Sequence, residues 1–210
     1  LTLTTPISYL NKVMHDRKSV RKYEATYKIP QSDLEELLVK ATTAPSSSNL
    51  QPWRFLVIQD EEVKKELRLI ANNQEQVETA SAIIAVLGDT AMYNNVEEIY
   101  TKNVELGYMD EATKNMMIEN SLKIYSNLPT EVLKNIATFD AGLISMQIML
   151  LAKDMGYDTV TMGGFNKEAF AKRFALTDNL VPIVLIAIGK AAAPAYGSSR
   201  LALNDIAKFI

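Results

Sequence analysis

The 210-residue sequence contains no cysteine. That absence excludes disulfides, thiolate-bound metals, iron–sulfur clusters and a cysteine nucleophile together, and it agrees with a reducing compartment. Histidine is nearly absent too. The single His15 cannot build a multi-histidine metal centre or an evident Ser–His–Asp set, and it reads as a helix-end or surface residue. Charge of one sign is lacking as well. With 22 basic and 25 acidic residues the net charge is −3, and no basic stripe points to nucleic acid. The longest apolar runs, "AGLISMQIMLLA" and "VPIVLIAIG", are too short for a bilayer, and the N-terminus has no secretory pattern. The expectation is a cytoplasmic protein with no membrane and no nucleic-acid partner. Gly-rich phosphate loops of the G-x-G-x-x-G or G-x-x-x-x-G-K type are also missing, which leaves a Rossmann or P-loop nucleotide site unsupported.

What is present suffices for a folded core, since 48% of residues are hydrophobic. Thr5-Pro6 signals a first helix, with Ile7, Leu10, Val13 and Met14 at helical spacing. Pro30, then Ser32 with Glu35 at capping-box spacing, signals a second helix. Its inward face is Leu34, Leu37, Leu38 and Ala41. Phe55–Ile58 reads as a strand, 61–70 as an amphipathic helix, and "AIIAVLG" from Ala82 as a strand buried on both faces. From Pro129 to Lys153 runs a long helix. Its stretch from Phe139 to Ala152 is apolar nearly all round, so this chain or a second copy must cover it. "DTVTM" is a short strand, Asn166 caps a helix holding Phe170 and Phe174, and Val181–Gly189 is the last strong strand, with Pro182 at its start. The tail reads as an extended arm ending in a short helix. Helices mixed with few strands, without regular βαβ alternation, predict one α+β domain over 1–210, with a central mixed or antiparallel sheet flanked by helices.

Four stretches could carry chemistry. In "RKSVR" an extended backbone places Arg17, Ser19 and Arg21 on one face, with Lys18 and Val20 opposite; two guanidinium groups around a hydroxyl suit a phosphate. A solvated basic helix end is the alternative. In "TTAPSSSNLQPWRF" the segment Pro45–Asn49 is either a polar connector or a stiffened hydrogen-bonding surface for a flat polar ligand. Gly163-Gly164 in "MGGF" is a plain turn or a close approach of ligand to backbone. Arg200 alone is an exposed arginine. From about 91 to 127, Tyr93, Tyr100, Tyr108 and Tyr125 either offer stacking surface over a substrate or pack a helical outer layer.

Taken in order, "RKSVRKY", "APSSSNLQPWRF", "MGGF", an apolar strand ending in glycine and a downstream arginine resemble the nitroreductase family of FMN-dependent NAD(P)H oxidoreductases. The "PSSxNxQPW" element is the most specific part. The resemblance implies an α+β homodimer with two FMN sites at its interface and a C-terminal arm exchanged between subunits. It implies that Arg17, Lys18, Ser19 and Arg21 match the N-terminal FMN-binding motif, and that Arg200 matches a basic residue at the phosphate. Pro45, Ser46, Ser47 and Asn49 match the loop reaching the other subunit's flavin. Gly163 and Gly164 match the strand end beside the ring, and Asn73 and Gln76 match polar contacts to its pyrimidine edge and ribityl chain. This chain departs from some members in having Gln76 for a lysine and Ser198 for a second basic tail residue. A neutral amide stabilises a reduced, anionic flavin less. The implied activity is ping-pong hydride transfer from NAD(P)H through FMN to a small-molecule acceptor, a nitroaromatic, quinone or free flavin, with no side chain acting as acid or base. The alternatives are another flavin chemistry on the same scaffold (dehalogenation, flavin fragmentation, ring dehydrogenation) and a non-catalytic FMN-binding or storage module.

Overall fold

The structure is a computed structural model that describes residues 8–210. Thr5, Pro6 and Ile7, where the sequence placed the start of the first helix, lie outside the described residues. Within them α1 (Tyr9–Asp16) is capped by Ser8, whose side chain accepts from the Asn11 amide. Only Val13 of its apolar positions is buried. Leu10 and Met14 stay exposed, against the helical spacing, because no other element among the described residues covers that side.

The sheet consists of β1 (Trp53–Ile58), β2 (Ala82–Asp89), β3 (Asp158–Met162) and β4 (Leu180–Gly189), all antiparallel, in the order β1-β2-β4-β3. β2 and β4 are central, and β2 is buried along its whole length. Its alternate residues feed two cores. Ile83, Ala85 and Leu87 pack with Leu67 and Ile70 of α3 (Glu61–Ile70), Val77 of α4 (Glu75–Thr79) and Phe170 of α8 (Lys167–Arg173). Ala82, Ile84 and Val86 pack with Leu34, Leu37 and Ala41 of α2 (Gln31–Ala41) and Ala141, Ile144, Ile148 and Ala152 of α7 (Thr130–Asp154). Each fully buried Leu or Ile contributes about 1.5–3 kcal/mol, which explains why this strand carries no alternation in sequence.

Two local devices differ from the sequence reading. Pro30 itself occupies the N-cap of α2, without a side-chain cap bond. Ser32 then falls in the first turn, where its hydroxyl meets Asp33, and the expected capping box does not form. Pro182 lies two residues inside β4. The register slips between Val86 and Leu87, so Pro182 faces Leu87 at a β-bulge that tolerates the missing amide.

Residues 91–127 are regular rather than loose. A 3-10 turn (Met92–Asn95) leads into α5 (Val96–Glu105) and α6 (Glu111–Tyr125). Tyr93, Tyr100 and Tyr125 pack there with Leu50, Met92, Val96 and Leu133 as a third apolar cluster, while Tyr108 is exposed. The outer-layer reading therefore holds for three of the four tyrosines.

By length and composition α7, 25 residues long, could cross a bilayer. Here it is the central core helix, with Asp140 and Ser145 buried along it. Its other side is uncovered among the described residues: Phe139 is 65% and Met146 41% exposed. After β4 the tail runs to a short helix α9 (Leu203–Ile206), with Leu201, Ile206 and Phe209 exposed.

Candidate functional site

The "RKSVRKY" segment is extended and forms a short ribbon beside the sheet. Ser19 bridges Thr159 of β3 in parallel, the Val20 amide donates to the Thr159 carbonyl at 3.0 Å, and Tyr23 bridges Ala191. The alternation follows. Val20 is buried and, with Lys18, borders a cavity of about 390 Å³ that also contains Asp16, Lys153 and Asp158. Ser19 and Arg21 line a different cavity of about 340 Å³, with Lys22, Gln76 and the tail residues Pro194 and Tyr196. Lys18 is thus separated from Ser19 and Arg21.

Arg17 follows α1 directly, and its Nε is buried with no hydrogen-bond partner. Arg17, Lys18, Arg21 and Lys22 form no ion pair among the described residues. A buried guanidinium N–H without an acceptor is costly, and it fits a ligand that brings anionic oxygens.

β3 delivers Gly163 and Gly164 at its end. A Cβ at Gly163 would meet nothing within 4 Å, so the backbone there faces open space. The adjoining turn clasps this end: Asn72 Nδ2 and Gln74 Nε2 donate to the Gly164 carbonyl at 2.8 and 3.1 Å. Gln76 is buried and donates from Nε2 to Met162 Sδ at 3.4 Å and Gln74 Oε1 at 3.0 Å. Asn73 has a different partner, since its Oδ1 accepts from Arg68 Nε at 2.8 Å. Asn72 and Gln74, which sequence reasoning did not single out, are the residues at Gly164. Consecutive left-handed backbones at Asn72 and Asn73 (φ 54° and 56°) turn the chain there, and asparagine tolerates that region better than most residues.

The Pro45–Asn49 loop lies apart from this group and shares no cavity or hydrogen bond with it among the described residues. Its backbone is strained: Ser48, Asn49 and Gln51 all have left-handed φ, at 49°, 53° and 49°. Several bonds hold it. The Ser47 amide and hydroxyl donate to Asp140 Oδ2 and Oδ1 at 3.0 and 3.2 Å. The Tyr100 hydroxyl donates to the Ser48 carbonyl at 2.9 Å, and Tyr125 Oη lies 2.8 Å from Ser48 Oγ. Ser46 Oγ accepts from the Gln51 amide at 3.1 Å, and Asn95 Nδ2 donates to the Leu50 carbonyl at 3.1 Å. Asp140 is fully buried, which pushes its carboxyl above the usual range while the Ser47 bonds oppose that shift. No sequence signal short of the fold marked Asp140. Trp53 and Phe55 lie in the strand and core behind the loop.

Arg200 is exposed and bonded within the tail, to Ser198 Oγ and the Ser199 carbonyl, both at 2.8 Å. Within the chain it does not reach Arg17 or Arg21.

An antiparallel sheet between two helical layers, a basic ribbon beside β3 and a separate strained serine loop make up an α+β scaffold. Residues 14–190 match the Nitroreductase family, and the chain belongs to that family. It is similar to a protein of Bacillus subtilis strain 168 provisionally named NAD(P)H nitroreductase YdgI. The two are 45% identical over 200 residues, covering 94% of this chain and 96% of the relative. A provisionally assigned nitroreductase of Exiguobacterium sibiricum 255-15, crystallised in complex with FMN, superposes with a TM-score of 0.92 at 42% identity. It covers 99% of this chain and all (100%) of that one. The CLA biosynthesis enone reductase of Lactiplantibacillus plantarum is 34% identical over 87% of this chain and 86% of its own length.

Proposed function

We propose that this chain is an FMN-dependent NAD(P)H oxidoreductase acting as a homodimer. The observation that carries the reading is the buried Arg17 Nε without a partner, next to a ribbon whose Ser19 and Arg21 open into one cavity with Gln76. Bound FMN would supply two-electron chemistry, hydride transfer from NAD(P)H to a second substrate in a ping-pong sequence.

The chain's own part is binding, orientation and electrostatics. Arg17, Ser19 and Arg21 hold the phosphate, joined by Arg200 once the tail is repositioned by a second copy. Lys18 adds positive charge from the neighbouring face. Gln76 and Asn73 offer amides to the pyrimidine edge and ribityl chain, Asn73 after exchanging its bond from Arg68. The open backbone at Gly163 would let a flat ring lie close to the end of β3, while Gly164 is held behind it by Asn72 and Gln74. Pro45, Ser46, Ser47 and Asn49 serve the partner's cofactor, which accounts for their distance from the ribbon within one chain. The exposed Phe139 and Met146 of α7 and the exposed apolar tail are the surfaces a second copy covers. No side chain is assigned an acid or base role.

Nitroaromatics, quinones and free flavin are the expected acceptors. The similarity to an enone reductase favours one further reading, reduction of a carbon–carbon double bond conjugated to a carbonyl. NADH and NADPH oxidation measured with nitrofurazone, menadione and an α,β-unsaturated ketone separates the two. Turnover of the first pair supports the nitroreductase-type acceptor range. Turnover of the ketone alone replaces it with enone reduction, and no turnover of any leaves an FMN-binding module.

A further inference from the structure

Asp140 is a carboxylate placed at the centre of the core helix, fully buried, whose side-chain hydrogen bonds among the described residues all come from one residue, Ser47. A serine hydroxyl has one proton and two lone pairs, and an ionised carboxylate only accepts. Both Ser47 donors, the amide and the hydroxyl, are therefore committed to Asp140. The outward side of Ser47 Oγ then has only lone pairs to offer.

We propose that Asp140 is a positioning residue that fixes the polarity of Ser47, making its hydroxyl an obligate hydrogen-bond acceptor for a donor on the flavin. The donor is a flavin N–H or O–H, the imide N–H of the ring edge or a hydroxyl of the ribityl chain. The inference rests on the reading of Pro45–Asn49 as a cofactor-facing loop. It explains why a buried charge is retained there. Burial holds the Asp140 carboxyl above its ordinary range, so its ionised form costs the fold stability at neutral pH, a cost that a purely packing role would not justify. It also accounts for the strain beyond Ser47. The left-handed Ser48, next to Ser47, is held by Tyr100 at its carbonyl and Tyr125 at its hydroxyl, so the loop that directs the Ser47 hydroxyl is set before a ligand arrives.

Asp140→Asn tests it. The variant's amide can donate to Ser47 Oγ and fill the lone pair the flavin would use. FMN affinity, measured by fluorescence quenching on apoprotein, should fall about tenfold in Asp140→Asn and about as far in Ser47→Ala. The double variant should fall no more than about twofold beyond the weaker single one, because both changes remove the same acceptor. Independent, additive losses, or unchanged affinity in either single variant, overturn the proposal. If Asp140→Asn does not fold, Ser47→Ala with N3-methyl-FMN still decides. A Ser47→Ala penalty seen with FMN and lost with the methylated ring assigns the imide as donor. A penalty kept with both assigns the ribityl hydroxyl, and no penalty with either overturns the proposal. Failure of the wild-type protein to bind FMN would contradict the functional reading itself.

Discussion

Tyr23 Cδ1 lies 2.9 Å from the point where a Cβ on Gly189 would stand. This approach seats the N-terminal ribbon against the end of β4, and the Tyr23 hydroxyl completes it by donating to the Ala187 carbonyl at 3.2 Å. The same ribbon carries Ser19 and Arg21, so packing at Gly189 and site geometry are linked. Gly189→Ala forces the Tyr23 ring aside and crowds the Ser81 amide, 3.2 Å from the same point. Overpacking of this kind costs about 1–3 kcal/mol. In a chain of this size each kcal/mol lowers Tm by roughly 2–4 °C. Calorimetry checks the fall, and FMN affinity should weaken with it.

Arg17→Met separates ligand binding from folding. The side chain keeps its apolar stem and loses a buried donor that nothing among the described residues satisfies. FMN binding should weaken by about 1.5–3 kcal/mol, as for a lost charged hydrogen bond. The apoprotein's Tm should not fall. Isothermal titration and thermal melting without FMN give the two numbers, and a large apoprotein loss would assign Arg17 to the fold instead.

Tyr125→Phe removes the hydroxyl beside Ser48 Oγ and leaves the ring in its apolar cluster. A neutral hydrogen bond contributes about 0.5–1.5 kcal/mol. The effect should be local. Hydrogen exchange should speed up at the Asn49 and Leu50 amides, which donate to the Ser46 and Ser47 carbonyls, while β2 amides keep their protection.

Asp140 gives a pH signature. Its folded-state pKa is raised above the unfolded value, chiefly by burial. The associated stability is fully present below the unfolded value, about 3.9, and is lost as pH rises through the folded one. Relative to Asp140→Asn, the wild type should therefore gain stability as pH falls from neutral into the carboxylate range. Melting both proteins across that range checks the sign, and a difference that does not change with pH would contradict it.

The elements that sequence placed well are those whose burial is repeated along the chain. β2 reads as a strand buried on both faces because Ile83 and Ile84 feed opposite cores, and α2 reads from Leu34, Leu37 and Ala41. The alternation in "RKSVR" put Arg17, Ser19 and Arg21 on one face and Lys18 and Val20 on the other; Ser19 and Arg21 share one cavity and Lys18 and Val20 another, while Arg17 lines neither. Features that depend on distant partners were not legible. Ser32 with Glu35 has capping-box spacing, but Pro30 takes the cap. Leu10 and Met14 follow helical spacing, yet nothing among the described residues covers them. Asp140 falls in the stretch read as apolar nearly all round, and its meaning comes from Ser47, far away in sequence. Asn72 and Gln74 act through side chains whose direction is set by left-handed turns that composition does not reveal.

The most direct test of the central claim is an anaerobic absorbance titration of the purified protein, saturated with FMN, against NADH and NADPH. The account predicts stoichiometric FMN uptake and loss of the oxidised flavin's visible band with at least one nicotinamide. Re-oxidation should follow when menadione or nitrofurazone is added. A protein that takes up no FMN, or one whose bound FMN neither nicotinamide reduces, would contradict it.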